Sequence, residues 1–238
     1  FKRVLRPPIK LKENGKNIQY RRRQIEIIHS QNRQQRIKGV VGSGKTTILA
    51  ARAVEAYKRT KGKILILTYN ITLKNYIHDK ISQVRAEFPW ENFIILNYHT
   101  FINNELNNLG VDVSVPEKFN ELSLEQKEKY FESNYYSNKQ LFAENAEKIV
   151  QYDAIFIDEI QDYKRPWMEI IKEFFLVEGG EYVIFGDVKQ NIYNNNQTEF
   201  KDVNTNVKGF IRLKDCFRSD HKIKDLAVKF QEFFFKDK

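Results

Sequence analysis

The stretch RIKGVVGSGKTT, from Arg36 to Thr47, is the most informative part of this chain. It contains the phosphate-loop pattern G-x-x-x-x-G-K-[ST], in which glycines let backbone N–H groups surround an anion and the following helix points its positive N-terminal end at it. Glycines with one lysine also occur in ordinary turns. If the loop binds ATP, Lys45 reaches the β- and γ-phosphates and the hydroxyl of Thr46 holds Mg²⁺. The remaining residues of the ATP cradle would be Gly39, Gly42, Ser43, Gly44 and Thr47.

The segments around this loop alternate between strand and helix patterns. A β-prone run at 37–41 precedes the loop, and an Ala-rich helical pattern at 47–57 follows it. Apolar runs typical of buried strands recur at 63–68, 92–96, 153–157, 181–185 and 210–213. Helical spacing recurs at 20–31, 71–84, 100–109, 166–177 and 219–235. The alternation predicts an α/β fold, a doubly wound parallel sheet flanked by helices, with ligands beyond the carboxyl ends of the strands.

The composition is that of a soluble globular protein with a basic surface. Of the 238 residues, 41% are hydrophobic, and no apolar run approaches the roughly 20 residues needed to cross a bilayer. The single cysteine, Cys216, cannot form an internal disulfide, which favours the reducing cytoplasm. The formal net charge of +9 favours a polyanionic partner such as nucleic acid, although a solvated tail and a Lys-rich composition would also produce it.

The chain divides into an arm and one large domain. Residues 1–19 are basic and are broken by two consecutive prolines, so we expect a linker there. Residues 20–238 form the predicted domain. It carries a small helical insertion at about 102–150, which consists mainly of a helical stretch at 123–148. The net charge of residues 102–150 is about −4. Because the first residue is Phe1 rather than Met, we expect a fragment of a longer protein.

An acidic pair follows the fourth predicted strand. Asp158 and Glu159 come directly after the apolar run DAIFI, and we expect the first and fourth strands to end side by side, with the pair opposite the phosphate loop. There Asp158 would hold Mg²⁺, directly or through water, and Glu159 would orient and deprotonate the attacking water. Acidic residues also commonly cap the helix after a strand. The joint occurrence of loop and pair favours the catalytic interpretation.

A third motif, GDVKQNIY, follows the fifth predicted strand. Within it, Gln190 can reach a γ-phosphate as a neutral donor and change partners when that phosphate leaves. Such a change would pass the nucleotide state to a neighbouring site. A plain surface position is the alternative for Gln190 and for Lys189.

Six segments together resemble the first RecA-like motor domain of the UvrD/PcrA/Rep-type superfamily 1 DNA helicases, in the order of that family. GVVGSGKTT is similar to motif I, ILTYN to motif Ia, NYHTF to the TFHS-type motif, IDEIQD to motif II, GDVKQNIY to motif III and LKDCFRS to motif IV. The match runs from Gln24 to about Ser219. The resemblance implies a P-loop NTPase that uses ATP and Mg²⁺ to translocate on single-stranded DNA.

The resemblance also implies roles for residues outside the catalytic motifs. Gln24 would read the adenine edge, Phe217 would stack on adenine, and Arg218 would approach the γ-phosphate and stabilise charge in the transition state. Aromatic faces that stack on bases would line the single-strand path. Its predicted residues are Tyr69, Asn70, His99 and Tyr193. Core packing or a plain loop position is the alternative for the aromatic members of this set.

The chain departs from the family pattern in four places. Arg21 to Arg23 precede Gln24 where the family has a Leu-Asn start, and Asn194 to Asn196 replace a Trp-Arg pair that grips DNA. The insertion is much smaller than the family's accessory domain. Neither motif V nor motif VI follows, so we expect the second RecA-like domain to be missing from this chain, which alone would hydrolyse ATP slowly.

Two other interpretations stay open. The chain could be a nucleotide-gated DNA-binding module of a nuclease-helicase fusion that does no unwinding, with a nuclease domain before the basic arm. It could also act on RNA, because nothing in the sequence reads the 2′-hydroxyl.

Overall fold

Six parallel strands form one sheet among the residues that the computed structural model describes, which are 19–40, 42–84, 86–186, 207, 210–213, 226 and 229. The strands are β1 (Gln34–Gly39), β2 (Ile64–Thr68), β3 (Phe93–Asn97), β4 (Tyr152–Ile157), β5 (Leu176–Gly186) and β6 (Ile211–Leu213). Their spatial order is β3-β2-β4-β5-β1-β6. The predicted alternation of strands and helices is thereby confirmed.

Seven α-helices connect and cover these strands in the described ranges. They are α1 (Arg22–Ile28), α2 (Lys45–Thr60), α3 (Leu73–Ser82), α4 (Tyr98–Asn108), α5 (Leu124–Phe131), α6 (Lys139–Ala143) and α7 (Arg165–Phe174). Helices α1, α2 and α3 contribute to the apolar core on one face of the sheet, and α4, α6 and α7 contribute to the core on the other. Because helices cover both faces, central strands such as β2 are apolar at nearly every position and fully buried.

The strand order corrects one expectation. We expected the first and fourth strands to end side by side, but β5 lies between them and pairs with both. Local hydrophobic patterns mark β1, β4 and β5 as buried strands without saying which ones are neighbours. The phosphate loop and the acidic pair are therefore separated by the width of one strand, and the connection is made by side chains that reach across it.

The insertion is broken into shorter pieces than the predicted helical stretch at 123–148. Helix α5 passes directly into a π-helical turn, Glu132–Tyr136, and α6 begins only after Asn138, whose side chain caps it. Hydrogen bonds anchor the turn to the sheet domain. The hydroxyl of Tyr98 donates to the carbonyl of Tyr136 at 2.7 Å, and the indole of Trp167 donates to Glu132 at 2.8 Å.

Two boundaries near β5 also differ from the prediction. Helix α7 ends at Phe174 rather than at 177, and β5 begins at Leu176 rather than at 181. The early part of β5 is irregular against β4, where Gly179 adopts a left-handed φ of 69°. None of the helices in the described part of the chain is long and apolar enough to span a membrane.

Candidate functional site

The phosphate loop joins the end of β1 to the start of α2. Gly42 and Gly44 have left-handed φ angles of 74° and 84°, which residues with a β-carbon rarely adopt. The backbone N–H of Ser43 donates to the carbonyl of Val40 at 3.1 Å, and this bond closes the turn. The N-terminal end of the 16-residue helix α2 is therefore directed at the space that the loop encloses.

The residues of this loop fit a phosphate group. Ser43 is buried, and its hydroxyl oxygen is a buried polar atom without a hydrogen-bond partner in the described part of the chain. A β-carbon on Gly39 would collide with that hydroxyl and would lie 3.2 Å from the Lys45 side chain. Unpaired buried donors are costly unless a ligand satisfies them, so the loop is suited to an anion.

Lys45 is held inside the loop. Its side chain is buried, and the ammonium group donates to the carbonyl of Gly39 at 2.9 Å and to that of Val40 at 3.4 Å. Two neutral carbonyls are weak partners for a buried charge compared with a phosphate oxygen. The ammonium group can therefore exchange these carbonyls for a phosphate that enters the loop.

The acidic pair and the loop meet through Thr46 and Asp158. The hydroxyl of Thr46, in the first turn of α2, donates to the Asp158 carboxylate at 3.0 Å. Asp158 is fully buried directly after β4, and its own backbone N–H donates to the carbonyl of Leu67 at the end of β2 at 2.9 Å. The carboxylate is therefore fixed by the sheet, across β5 from the loop.

The environment of Asp158 disfavours a bare negative charge. Burial and the neighbouring Glu159 raise the pKa of this carboxyl group to about 7, against the opposing effects of the Thr46 hydroxyl and Lys45. A divalent cation would reverse this balance, and hydroxyl and carboxylate oxygens are the ligands that Mg²⁺ prefers. No group of three or more His, Cys, Asp or Glu that could hold a metal ion gathers in the described ranges. Mg²⁺ usually keeps several waters and binds through one or two carboxylates together with substrate phosphates.

Glu159 adopts an unusual backbone conformation. Its φ and ψ of 55° and 52° are left-handed, a conformation that costs a non-glycine residue about 1 kcal/mol or more. Its carboxylate accepts a hydrogen bond of 2.7 Å from the side-chain amide of Gln161. The hydrogen bond from Gln161 therefore holds the Glu159 carboxylate directly after the end of β4.

Gln24 lies against the phosphate loop. Its side chain is buried on α1, and a β-carbon placed on Gly44 would lie 3.3 Å from its amide nitrogen. Its amide oxygen accepts the backbone N–H of Arg21 at 2.9 Å, as part of a capping box at the start of α1. The predicted adenine reader is therefore beside the loop, although its oxygen already has a partner.

A buried ionic network fixes α1 relative to α2. The Arg52 guanidinium donates to Glu181 at 2.6 Å, to the carbonyl of Ile27 at 2.8 Å and to the side chain of Gln35 at 2.6 Å. Arg52 and Glu181 are both fully buried. The network thus ties the last turn of α1, the phosphate-loop helix and two strands to one another.

The predicted nucleic-acid residues after β2 have different environments. Tyr69 is 44% exposed, and its ring contacts that of the buried Tyr163 edge-on, with centroids 6.3 Å apart. The Asn70 side chain accepts from both the backbone and the hydroxyl of Thr72, and this turn leads into α3. Tyr69 thus offers a free ring surface, whereas the Asn70 oxygen is engaged in local structure.

His99 lies in an aromatic cluster at the start of α4. Its ring contacts those of Tyr136 and Trp167 edge-on, with centroids 4.7 and 4.9 Å away. Tyr163 contacts Trp167 as well as Tyr69, so aromatic rings connect His99 to Tyr69. The two predicted single-strand contacts are therefore parts of one packed aromatic assembly.

Sequence reasoning missed the roles of Gln161 and Tyr163. Both follow the acidic pair within or directly after IDEIQD, which could have directed attention to them. Four predicted site residues, Gln190, Tyr193, Phe217 and Arg218, lie outside the described residues, as do the basic arm before residue 19 and most of the predicted helix at 219–235.

Comparisons with known proteins agree with this architecture. Residues 24–196 match the AAA_19 family model, which is described as an AAA domain. No match was found among curated proteins. The Pif1 helicase from Candida albicans is similar in structure, with a TM-score of 0.52 and 16% identity over 89% of this chain and 44% of that chain. The UvsW helicase from bacteriophage T4 is similar, with a TM-score of 0.50 and 13% identity over 84% of this chain and 62% of that chain.

These similarities concern the fold. At such identities they show that the sheet and its helices have the RecA-like P-loop arrangement, which confirms the predicted fold class. The chain spans less than two thirds of either solved protein.

Proposed function

Because the chain belongs to the AAA_19 family of AAA domains and has the RecA-like fold of helicase motor domains, we propose that it is the ATP-hydrolysing motor domain of a UvrD-like superfamily 1 DNA helicase. The observation that carries the proposal is the 3.0 Å hydrogen bond between Thr46 and Asp158. It joins the phosphate loop to the acidic pair at the point where the phosphates and the metal of a nucleotide would meet.

Each residue of the site has a chemical task in this proposal. Lys45 and the loop N–H groups bind the phosphates, and Thr46 and Asp158 hold Mg²⁺. The metal, when bound, neutralises charge on the phosphate oxygens. Glu159 orients the attacking water and accepts its proton, and Gln161 keeps that carboxylate in place. Gln24 contacts the adenine edge.

Single-stranded DNA is the proposed substrate along which the motor domain moves. Tyr69 and His99, with Tyr193, would stack on bases without reading their sequence. Tyr69 contacts Tyr163, which follows Glu159 by four residues. A DNA strand bound at Tyr69 would therefore be connected to the acidic pair through these two rings. Gln190, Arg218 and Phe217 complete the proposed nucleotide site.

A second RecA-like domain is the proposed partner in the working enzyme. The closing and opening of a cleft between the two domains would advance the strand, and the second domain would supply a further arginine to the phosphates. The one cysteine in 238 residues favours the cytoplasm as the compartment. A nuclease-linked binding module without unwinding activity remains the alternative for the full-length protein.

Turnover of ATP by this chain tests the proposal. We expect calorimetry to detect ATP binding that needs Mg²⁺, and a coupled assay to detect slow hydrolysis with little stimulation by oligo-dT. The variant Lys45→Ala measures contaminating activity. Fast, DNA-stimulated turnover would refute the need for a second domain, and the absence of any ATP binding would refute the proposed function.

Competition between matched DNA and RNA oligomers identifies the preferred strand.

A further inference from the structure

Four residues form a basic patch on one face of the two strands at the sheet edge. Lys38 of β1 is paired with Arg212 of β6. Arg36 lies two positions before Lys38 in β1, and Phe210 directly precedes β6. Because side chains two positions apart in a strand share a face, Arg36 and Lys38 lie on the same face of β1. The Phe210 ring contacts both Lys38 and Arg212. We call these four residues the β1–β6 basic patch.

The cations of this patch surround an exposed ring. The Lys38 ammonium lies 4.2 Å from the centre of the Phe210 ring, and the Arg212 guanidinium lies 5.6 Å from it. Phe210 is 51% exposed. An exposed aromatic ring flanked by two cations combines a surface on which a base can stack with charges that can contact phosphates.

The three cations lack a compensating charge in the described part of the chain. None of them forms an ion pair with a described carboxylate, and the Arg36 Nε atom is buried without a hydrogen-bond partner there. Partial burial together with Arg36 and Arg212 lowers the pKa of Lys38. Like charges held together in this way repel one another, and an anion would relieve the repulsion.

We propose that the β1–β6 basic patch is a second binding site for single-stranded DNA, in which Lys38 and Arg212 contact successive phosphates and Phe210 stacks on a base. A duplex offers phosphates but no free base face, so the exposed ring favours a single strand. The inference rests on the proposed function in that both require the chain to bind single-stranded DNA.

The site is distinct from the predicted path at Tyr69. The strand before Tyr69 is β2, and β4, β5 and β1 separate it from β6. Four spacings of about 4.8 Å place the two sites roughly 19 Å apart across the sheet. A single strand of several nucleotides can span that distance. One DNA strand could therefore contact both the Tyr69 site and the β1–β6 basic patch.

The salt dependence of oligo-dT binding by the full chain tests the phosphate contacts. Fluorescence anisotropy gives Kd at several salt concentrations, and each phosphate contact contributes about 0.7 to the slope of log Kd against log salt for a single strand. We expect Lys38→Gln/Arg212→Gln to lower that slope by about 1.4. The control Lys118→Gln/Lys148→Gln removes two exposed charges from the insertion and should leave the slope unchanged.

The stacking contact is tested with Phe210→Leu and Phe210→Tyr. We expect Phe210→Leu to weaken oligo-dT binding by at least about fivefold and Phe210→Tyr to retain it, because only the latter keeps a ring. With an abasic oligomer, both variants should match the wild type. The affinity of each variant for ATP serves as the check that the chain is folded.

The outcomes separate this inference from the proposed function. A wild-type slope in the Lys38/Arg212 variant, or an equal loss in the insertion control, would overturn the site. If Tyr69→Ala weakens binding while all patch variants bind like the wild type, the proposed function stands and the second site is wrong. If the wild type binds no oligomer at low salt, both fail.

Discussion

The hydroxyl oxygen of Thr46 lies 3.0 Å from a carboxylate oxygen of Asp158, although 112 positions separate the two residues in the chain. The contact exists because α2 begins at the end of β1, and Asp158 follows β4 two strands away. Both oxygens are suited to Mg²⁺, and the pKa of Asp158, raised to about 7, indicates a site that gains from a nearby cation.

The first prediction concerns this pair. Thr46→Ala removes a proposed ligand, so we expect the Mg²⁺ concentration needed for half-maximal ATP binding to rise by about tenfold or more. A fluorescent ATP analogue titrated with Mg²⁺ measures it. The neighbouring variant Thr47→Ala should weaken nucleotide binding with or without the metal. Equal Mg²⁺ dependence in Thr46→Ala and the wild type would count against the metal assignment.

The second prediction concerns the lysine of the loop. Lys45 donates to two carbonyls of its own loop, and we expect it to transfer to phosphate when a nucleotide binds. Lys45→Ala should therefore abolish ATP binding in calorimetry. The thermal melting temperature should stay close to that of the wild type, because the lost hydrogen bonds are to neutral groups. Wild-type ATP affinity in this variant would overturn the phosphate-loop assignment.

The third prediction separates binding from chemistry. Glu159→Gln can still accept the hydrogen bond from Gln161 through its amide oxygen, but it cannot take a proton from water. We expect the ATP affinity to be retained and turnover by the complete enzyme to fall by about 100-fold or more. Calorimetry and a phosphate-release assay measure the two quantities. Unchanged turnover would exclude Glu159 as the base.

The fourth prediction concerns stability. Arg52→Met removes the fully buried cation of the network and leaves Glu181 with the more exposed Arg59 and with Ser30. We expect the free energy of unfolding to fall by about 3 kcal/mol. Arg52→Met/Glu181→Met removes both charges and should recover most of that loss, since apolar replacements of a buried pair are often neutral. Urea denaturation measures both variants. A double variant as unstable as the single one would show that the network stabilises the chain by more than charge pairing.

The fifth prediction is a pH dependence at His99. Burial lowers the pKa of this imidazole below the ordinary value of 6.5, and Lys164 lowers it further, while Glu132 opposes both effects. The unfolded chain therefore binds more protons than the folded chain just below pH 6.5. The contribution of His99 to the free energy of unfolding is present above pH 6.5 and is lost as the pH falls through the pKa of His99 in the folded chain. We expect His99→Gln to flatten the fall in melting temperature between about pH 7.5 and 5.5. Parallel pH profiles for the two proteins would contradict this.

Much of the fold was predictable because its signals are local. The loop glycines, the fully apolar β2 and the helical spacing of α2 each appear within a short window of sequence. The order of the strands is not local, and our expectation that the first and fourth strands end side by side was wrong because β5 lies between them. Thr46 and Asp158 are nevertheless in contact, because the Thr46 hydroxyl on α2 reaches across the intervening strand.

The rest of the candidate site depends on backbone conformation and long-range contact. The Gln161–Glu159 hydrogen bond lies in a turn after β4 that is left-handed at a glutamate, a conformation that residue preferences do not predict. Arg52 and Glu181 are charged residues that an amphipathic pattern assigns to the surface, yet each is buried by pairing with the other.

At position 159, the residue that would favour the stability of the left-handed turn differs from the residue that the proposed reaction needs. Glycine would remove the conformational penalty there but would also remove the carboxylate that the proposed reaction uses. A screen for heat resistance and a screen for activity should therefore select different residues at this position. The retained glutamate would then be a mark of selection for chemistry.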